Sequence, residues 1–410
     1  MMIPDFSLDK NFWRRFTEAK WNRKPTVIRA PFRNSIVTSA EVFEALIRAT
    51  RRLRAPTDDL SFRLASGRVV LDSDLDRLLP RAQDVSLKRY ASRIGRIAAG
   101  QQFSIFVSDF QIDLGWAFFR RLQQFLKELY VIEGVPSKRA EVDLFLGNYR
   151  RTHTSVHRDS ADVFCFVVEG RKRIRAWPED AIPSSSPVSG PSKYERFLGR
   201  SICLEGEPGD IIYWPSSYWH VAESGGWLGS SLSLGLYYGG GIVQALASGL
   251  EAGSHEIFGN ENRLPSIPFL NGRMSAHLAS IAKRVKRESE SLTHALVRSW
   301  MERITGYGFV RIPRARGRVP LRVRKAVRAH PTSSILSRKD NNQLVIAANG
   351  SSVIVSFHSD AERLIRILSS GKTCRVVDLL TSRRGKRSRS IRVIRQVLQF
   401  LFDARALEYV

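Results

Sequence analysis

Residues 157–177 read HRDSADVFCFVVEGRKRIRAW, and residues 204–220 read LEGEPGDIIYWPSSYWH. Both are short runs of β-branched and aromatic residues cut by Gly, Pro and Ser. Similar runs occur at 142–145, 163–168, 174–177, 202–204, 211–214 and 232–238. Short strands at such regular spacing predict an antiparallel sandwich or barrel. The Ser/Pro-rich stretch 183–192 predicts a long loop between two of them.

Working outward, the preceding region, about 7–135, mixes helical and strand patterns. Phe12, Trp13 and Phe16 recur at helical spacing, and Pro25-Thr26-Val27-Ile28 reads as a short strand. Ser39-Ala40-Glu41-Val42 opens a helix, with Ser39 as cap and an acid in the first turn. An amphipathic helix is expected over 114–129. After Leu250 the strand pattern stops. Leu278, Ile281, Val285, Leu292, Leu296, Trp300 and Ile304 fit one or two amphipathic helices. A basic connection spans 311–328. Two strand-like runs joined by Asn349-Gly350 then predict a hairpin. A helix over 360–368, stopped by Gly371, and two more over 376–380 and 390–402 complete a winged-helix pattern. The expected domains are 1–250, a catalytic domain with an N-terminal α/β extension; 251–328, a helical segment and basic linker; and 329–410, a winged-helix-like domain.

The chain has 410 residues, 43% of them hydrophobic and 25% charged, which excludes wholesale disorder. Cys165, Cys203 and Cys374 are odd in number and far apart, with no CxxC pair. A disulfide framework is excluded, and a cytoplasmic, reducing setting is expected. The opening MMIPDFSLDKNFWRR carries charges where a signal peptide needs an apolar core. The longest uncharged run, between Glu223 and Glu251, is broken by glycines and serines, so no membrane span is expected. The formal net charge is +26. Residues 271–410 hold 29 basic against 9 acidic residues, a net +20, and the first 270 carry the other +6. Such a field attracts polyanions, including nucleic acid and ribosomes.

The sharpest chemical feature is His157-Arg158-Asp159. Alternate residues of an extended segment share a face, so His157 and Asp159 can aim inward together while Arg158 points away. His220 follows Pro208-Gly209-Asp210, a strand, and Pro215. Two imidazoles and one carboxylate can take one face of an octahedral metal and leave three positions open, as in non-haem Fe(II) oxygenases. In Arg171-Lys172-Arg173-Ile174-Arg175, alternation puts Lys172 on the face opposite the three arginines. An inward Lys near a metal is costly unless it meets an anion, and the distal carboxylate of 2-oxoglutarate is such an anion.

On these two stretches the sequence resembles the JmjC-type, cupin-fold 2-oxoglutarate oxygenases, with its nearest likeness to the ribosomal-oxygenase branch. The resemblance implies an α+β protein: a double-stranded β-helix (cupin, jelly-roll) followed by a helical segment and a C-terminal winged-helix domain. It places the iron ligands on His157, Asp159 and His220. It places the cation for the 2-oxoglutarate C5-carboxylate on Lys172, thirteen residues after the Asp. Thr154, three residues before the first His, falls where some members use a hydroxyl for the same carboxylate. Ser231 and Ser233 fall where the family lines that pocket. The N-terminal NFWRRF and NRKPTVIRAPF resemble the family's opening helix and strand. The helical segment resembles one that dimerises in that branch. The segment 147–153, GNYRRTH, departs from the small or Gly-rich residues usual there. His153 is expected to stay off the metal, and Tyr149, Trp214 and Trp219 to line a substrate groove or pack in the core. The basic run Arg383–Arg389 could contact phosphates.

The expected function is hydroxylation of a protein or peptide side chain, with Fe(II), 2-oxoglutarate and dioxygen. Candidate substrates are a ribosomal protein and a ribosomally made precursor peptide; demethylation would use the same chemistry. The alternative is a catalytically silent cupin whose basic winged helix binds nucleic acid or regulates. Intact ligand residues argue against silence.

Overall fold

The computed structural model describes residues 8–53, 60–64, 75–152, 155–183, 190, 193–239, 247, 251, 276–313, 317, 319–380 and 391–410. The chain divides into two compact units, 1–238 with 309–314, and 239–308 with 315–410.

The first unit opens with α1 (Lys10–Ala19), β1 (Thr26–Ile28), α2 (Ser39–Leu53), β2 (Leu60–Leu64), α3 (Leu75–Leu78), α4 (Leu87–Ile97), β3 (Phe103–Val107) and α5 (Gln111–Glu133). β4 (Arg139–Gly147), β5 (Asp162–Glu169), β6 (Lys172–Trp177), β7 (Ile202–Gly206), β8 (Ile211–Trp214), β9 (Trp219–Glu223) and β10 (Gly229–Tyr237) follow. They form two antiparallel sheets, in the orders β1-β8-β5-β10-β4-β3-β2 and β7-β6-β9. The cavity lies between their facing sides, as in a jelly roll.

β5 shows why the strands read as they do. Phe164 and Phe166 point to the outer face, where Phe164 meets Trp13 and Phe16 of α1, and Phe125 of α5 meets both. Val163, Cys165 and Val167 point inward, against Ile174, Ile212 and Trp214. A strand buried on both faces reads as a continuous apolar run. β6 is one-sided. Lys172, Ile174 and Ala176 are buried, while Arg173 and Arg175 pair outside with Glu205 and Glu223.

The helix start at 39 needs one correction. Its cap is Thr38: the Thr38 N–H donates to the Glu41 carboxylate at 2.9 Å, and the Glu41 N–H donates to the Thr38 hydroxyl at 3.2 Å. This reciprocal pair is a capping box. Ser39 is freed to donate to Glu169 at 2.6 Å, tying α2 to the end of β5.

The second unit holds α6 (Ala276–Arg287), α7 (Ser289–Thr305), β11 (Ala326–Ala329), β12 (Ile335–Asp340), β13 (Gln343–Ala348), β14 (Ser351–Ser356), α8 (Ser359–Ser369), β15 (Cys374–Arg375), α9 (Val376–Leu380), α10 (Ile391–Asp403) and β16 (Leu407–Tyr409). β12-β13-β14 form a meander, and β15-β11-β16 a second small sheet. The hairpin expected at Asn349-Gly350 is present. Both turn residues have positive φ, 44° and 75°, the backbone a two-residue turn of this kind demands. Leu344, Ile346, Leu364, Leu368, Val397 and Leu401 share its core. Among the described residues no helix is long and apolar enough to cross a membrane.

Candidate active site

The inner face of the large sheet is laid out in rows. Trp214, Val163, Gly235 and Glu141 stand in register across β8, β5, β10 and β4. The next row is Ile212, Cys165, Ser233 and Asp143. On the facing sheet His220 pairs with Ala176, and Ala222 with Ile174. A cavity of about 460 Å³ lies between, and His157, Asp159, Lys172, His220 and Ser233 all line it.

His157 and His220 meet through their backbones. The His157 N–H donates to the His220 carbonyl at 3.0 Å, and the His220 N–H returns the bond at 2.8 Å. The imidazole centroids are 4.3 Å apart. His157 Nδ1 lies 3.0 Å from the Ser155 carbonyl, and His220 Nδ1 lies 3.4 Å from the Tyr218 carbonyl. A carbonyl on Nδ1 requires the proton there, which turns the Nε2 lone pair to the cavity. Asp159 faces both rings, at 3.7 Å from His157 Nε2 and 3.3 Å from His220 Nε2. Burial pushes the Asp159 carboxyl up, but His220 and then His157 hold it below its ordinary value. One ligand atom from each of the three residues lies within 4.8 Å of the others. Two imidazole nitrogens and a carboxylate on one wall fit a divalent first-row metal such as Fe(II) with open positions.

Lys172 is 5% exposed. Its ammonium donates to the Tyr149 hydroxyl at 2.7 Å and lies 5.4 Å from the Phe145 ring centre. Among the described residues no carboxylate pairs with it. A buried cation of this kind fits the far carboxylate of 2-oxoglutarate. Tyr149 thus sits beside Lys172. Its backbone carbonyl accepts from Ser224 Oγ. Gly147 makes room for it: a Cβ there would strike the Phe103 carbonyl and come 2.8 Å from the Tyr149 ring. Thr154 and His153 lie outside the described residues, as does the basic run 383–389. Trp214 lines the cavity with its ring centre 5.0 Å from that of His220, and Trp219 is buried next to His220.

Two cavity acids went unnoticed in the sequence. Glu141 pairs with Arg139 at 3.1 Å and accepts from the Tyr237 hydroxyl. Burial raises the Glu141 carboxyl, with Tyr237 and Arg139 pulling against it. Asp143 accepts only from the Asp109 N–H, at 3.2 Å, and no cation pairs with it among the described residues. Burial and then the Glu141 charge push its carboxyl well up. The signal was the alternation Glu141-Val142-Asp143-Leu144 on a strand.

Fold and site together define a double-stranded β-helix with two histidines and one carboxylate on its inner wall. Residues 119–239 match the family model described as the JmjC domain. No curated protein matches the chain. Among solved structures it is similar to YcfD of Escherichia coli, at 16% identity and a TM-score of 0.51, covering 100% of both chains. A second structure, described as YcfD, a ribosomal oxygenase from Escherichia coli, is 15% identical, with a TM-score of 0.51 and coverage of 100% of this chain and 99% of that one. A third, of the same protein in complex with cobalt and 2-oxoglutarate, is 15% identical, with a TM-score of 0.50 and 99% coverage of both chains. At such identity the likeness is one of fold.

Proposed function

We propose that this chain is an Fe(II)- and 2-oxoglutarate-dependent dioxygenase that hydroxylates an amino-acid side chain of a protein or peptide. The observation that carries this is the joint placement, in one cavity, of the His157-Asp159-His220 face and a buried Lys172 that has no carboxylate partner among the described residues. Iron held by those three residues would supply C–H oxidation by dioxygen, coupled to decarboxylation of 2-oxoglutarate. The balance is substrate C–H, 2-oxoglutarate and O₂ giving substrate C–OH, succinate and CO₂. The chain's own residues bind and orient. Lys172 and Tyr149 hold the far carboxylate, Ser233 lines the middle of the cavity, and Thr154 is a further hydroxyl for the same carboxylate. The buried walls keep water from the reacting atoms.

Asp143 and Glu141 make one wall of the cavity acidic, which favours a basic side chain on the substrate. A ribosomal protein is the first candidate, supported by the ribosomal oxygenase whose fold this chain shares; a ribosomally made precursor peptide is the second. The order α8, β15, α9, α10, β16 supports a winged-helix reading of the C-terminal unit. We infer that its positive charge meets the ribosomal or nucleic-acid surroundings of the substrate. Half-exposed Val285, Trp300 and Ile304 on α6 and α7 support a homodimer through those helices. Three free cysteines fit a cytoplasmic setting.

The test is anaerobic reconstitution with Fe(II), followed by succinate formation from 2-oxoglutarate in air. Wild type should bind one iron and turn over. His157→Ala, Asp159→Ala and His220→Ala should each lose metal and turnover together. Wild type that binds iron yet forms no succinate, with or without ribosomal protein, would favour a silent cupin.

A further inference from the structure

We propose that Arg158 is a positioning residue that fixes the Asp159 carboxylate relative to His220 by bracing two ligand-bearing segments against each other. The inference rests on the three-ligand site above and concerns a side chain that does not face the cavity. Arg158 sits between His157 and Asp159, in a stretch outside any named strand. Paired backbone bonds at His157 tie that stretch to β9, as the Thr152 N–H to the Ala222 carbonyl does just before it. Asp159 itself is the most open ligand: its side chain is 36% exposed, against 4% for His220. Among the described residues its carboxylate meets only the two imidazoles. The direction of Asp159 therefore depends on how residue 158 is held.

Arg158 is held from two sides. Its guanidinium pairs with the Glu179 carboxylate at 2.5 Å and is only 17% exposed. The same group lies 5.0 Å from the Trp219 ring centre, within range of a cation–π contact. Trp219 directly precedes His220, and its indole N–H donates to the Glu179 carbonyl at 3.1 Å. The Trp219 ring is buried with Val156, Trp177 and Tyr194. The Glu179 backbone and carboxylate thus hold the neighbours of both His220 and Asp159. A planar guanidinium can satisfy the carboxylate and the ring face together, and an ammonium does so less well.

Cobalt(II) provides a probe that does not need turnover. Its affinity can be measured by calorimetry, and its visible absorption bands report coordination geometry. Arg158→Gln should bind Co(II) about ten- to a hundred-fold more weakly than wild type, the range for residues that orient metal ligands. Its bands should shift, while the melting temperature of the metal-free protein stays near that of wild type. Arg158→Lys should recover part of the affinity, and Glu179→Gln should lose affinity in the same direction by a smaller factor. Wild-type Co(II) affinity and spectrum in Arg158→Gln would overturn the proposal. So would weaker binding matched by an equal destabilisation of the metal-free protein. Failure of wild type itself to bind Co(II) would instead overturn the three-ligand site.

Discussion

The Lys172 ammonium donates to the Tyr149 hydroxyl at 2.7 Å, 23 residues apart in sequence, with both side chains buried. A phenol can accept from the lysine and turn its own proton towards a carboxylate, so the pair offers two donors to one anion. Hydrogen bonds to charged groups contribute about 1.5–3 kcal/mol. Lys172→Ala should therefore raise the KM for 2-oxoglutarate by about one to two decades, with metal binding kept. Tyr149→Phe should raise it by about tenfold. Steady-state succinate formation checks both. An unchanged KM in Lys172→Ala would move the carboxylate site elsewhere in the barrel.

Asp143 is the acid of the cavity with no ion-pair partner among the described residues, and the Arg139 charge only partly offsets the burial and the Glu141 charge that raise its pKa. A substrate guanidinium, imidazolium or ammonium would give it such a partner and draw its raised pKa back down. Asp143→Asn keeps the shape and removes the carboxyl that a basic substrate would ionise. Succinate formation without substrate should stay within about twofold of wild type, while kcat/KM for a basic peptide falls about ten- to a hundredfold. Equal losses in both would place Asp143 at the cosubstrate and not at the substrate.

The two ends of this site were unequally legible. The His-x-Asp spacing and the Pro-x₄-His after a strand named the metal face, because each ligand's direction follows from local alternation. Lys172 followed from the same alternation, since its neighbours Arg173 and Arg175 are outside with glutamates. Tyr149 could not be read that way. Its contact with Lys172 is made only when β4 and β6 close across the barrel. Asp143 was hidden for a different reason. A strand with polar residues at every second position reads the same whether that face meets solvent or a wet cavity. β9 was hidden because His220 and Glu223 make a short strand look polar. At residue 39 the local pattern Thr38-x-x-Glu41 was present, and the adjacent serine obscured it.

Asp162 provides a pH test of the fold beside the site. Burial lifts its carboxyl to about 6, against the Ser216 N–H and the Tyr213 hydroxyl, with Glu133 adding to the rise. The folded pKa exceeds the unfolded value of 3.8, so the folded state binds the proton more tightly. That contribution is full below about pH 4 and is lost as pH rises through about 6, and a shift of this size corresponds to about 3 kcal/mol. Asp162→Asn removes the titration. It should be more stable than wild type by about 1–3 kcal/mol at pH 7.5, with the difference fading towards pH 4. Urea midpoints measured across that range check the sign. A difference that does not change with pH would show that Asp162 stays ionised throughout.

The basic C-terminal third should govern capture of the macromolecular substrate and leave the chemistry alone. Residues 271–410 carry a net +20, while His157, Asp159, Lys172 and His220 all lie in the first 238 residues. Exposed charges more than about 8–10 Å apart are screened near physiological ionic strength, so such capture should weaken as salt rises. The run Arg383-Arg384-Gly385-Lys386-Arg387 concentrates four of those charges. Reversing Arg383, Arg384, Lys386 and Arg387 to Glu should leave succinate formation without substrate near wild type. It should raise the KM for a ribosomal-protein substrate at low salt and flatten the dependence of that KM on salt. The comparison belongs at low ionic strength, where the screening length is long and the effect largest. Reversal of all four charges with no change in substrate affinity there would show that the excess charge is an arginine-rich surface with no partner.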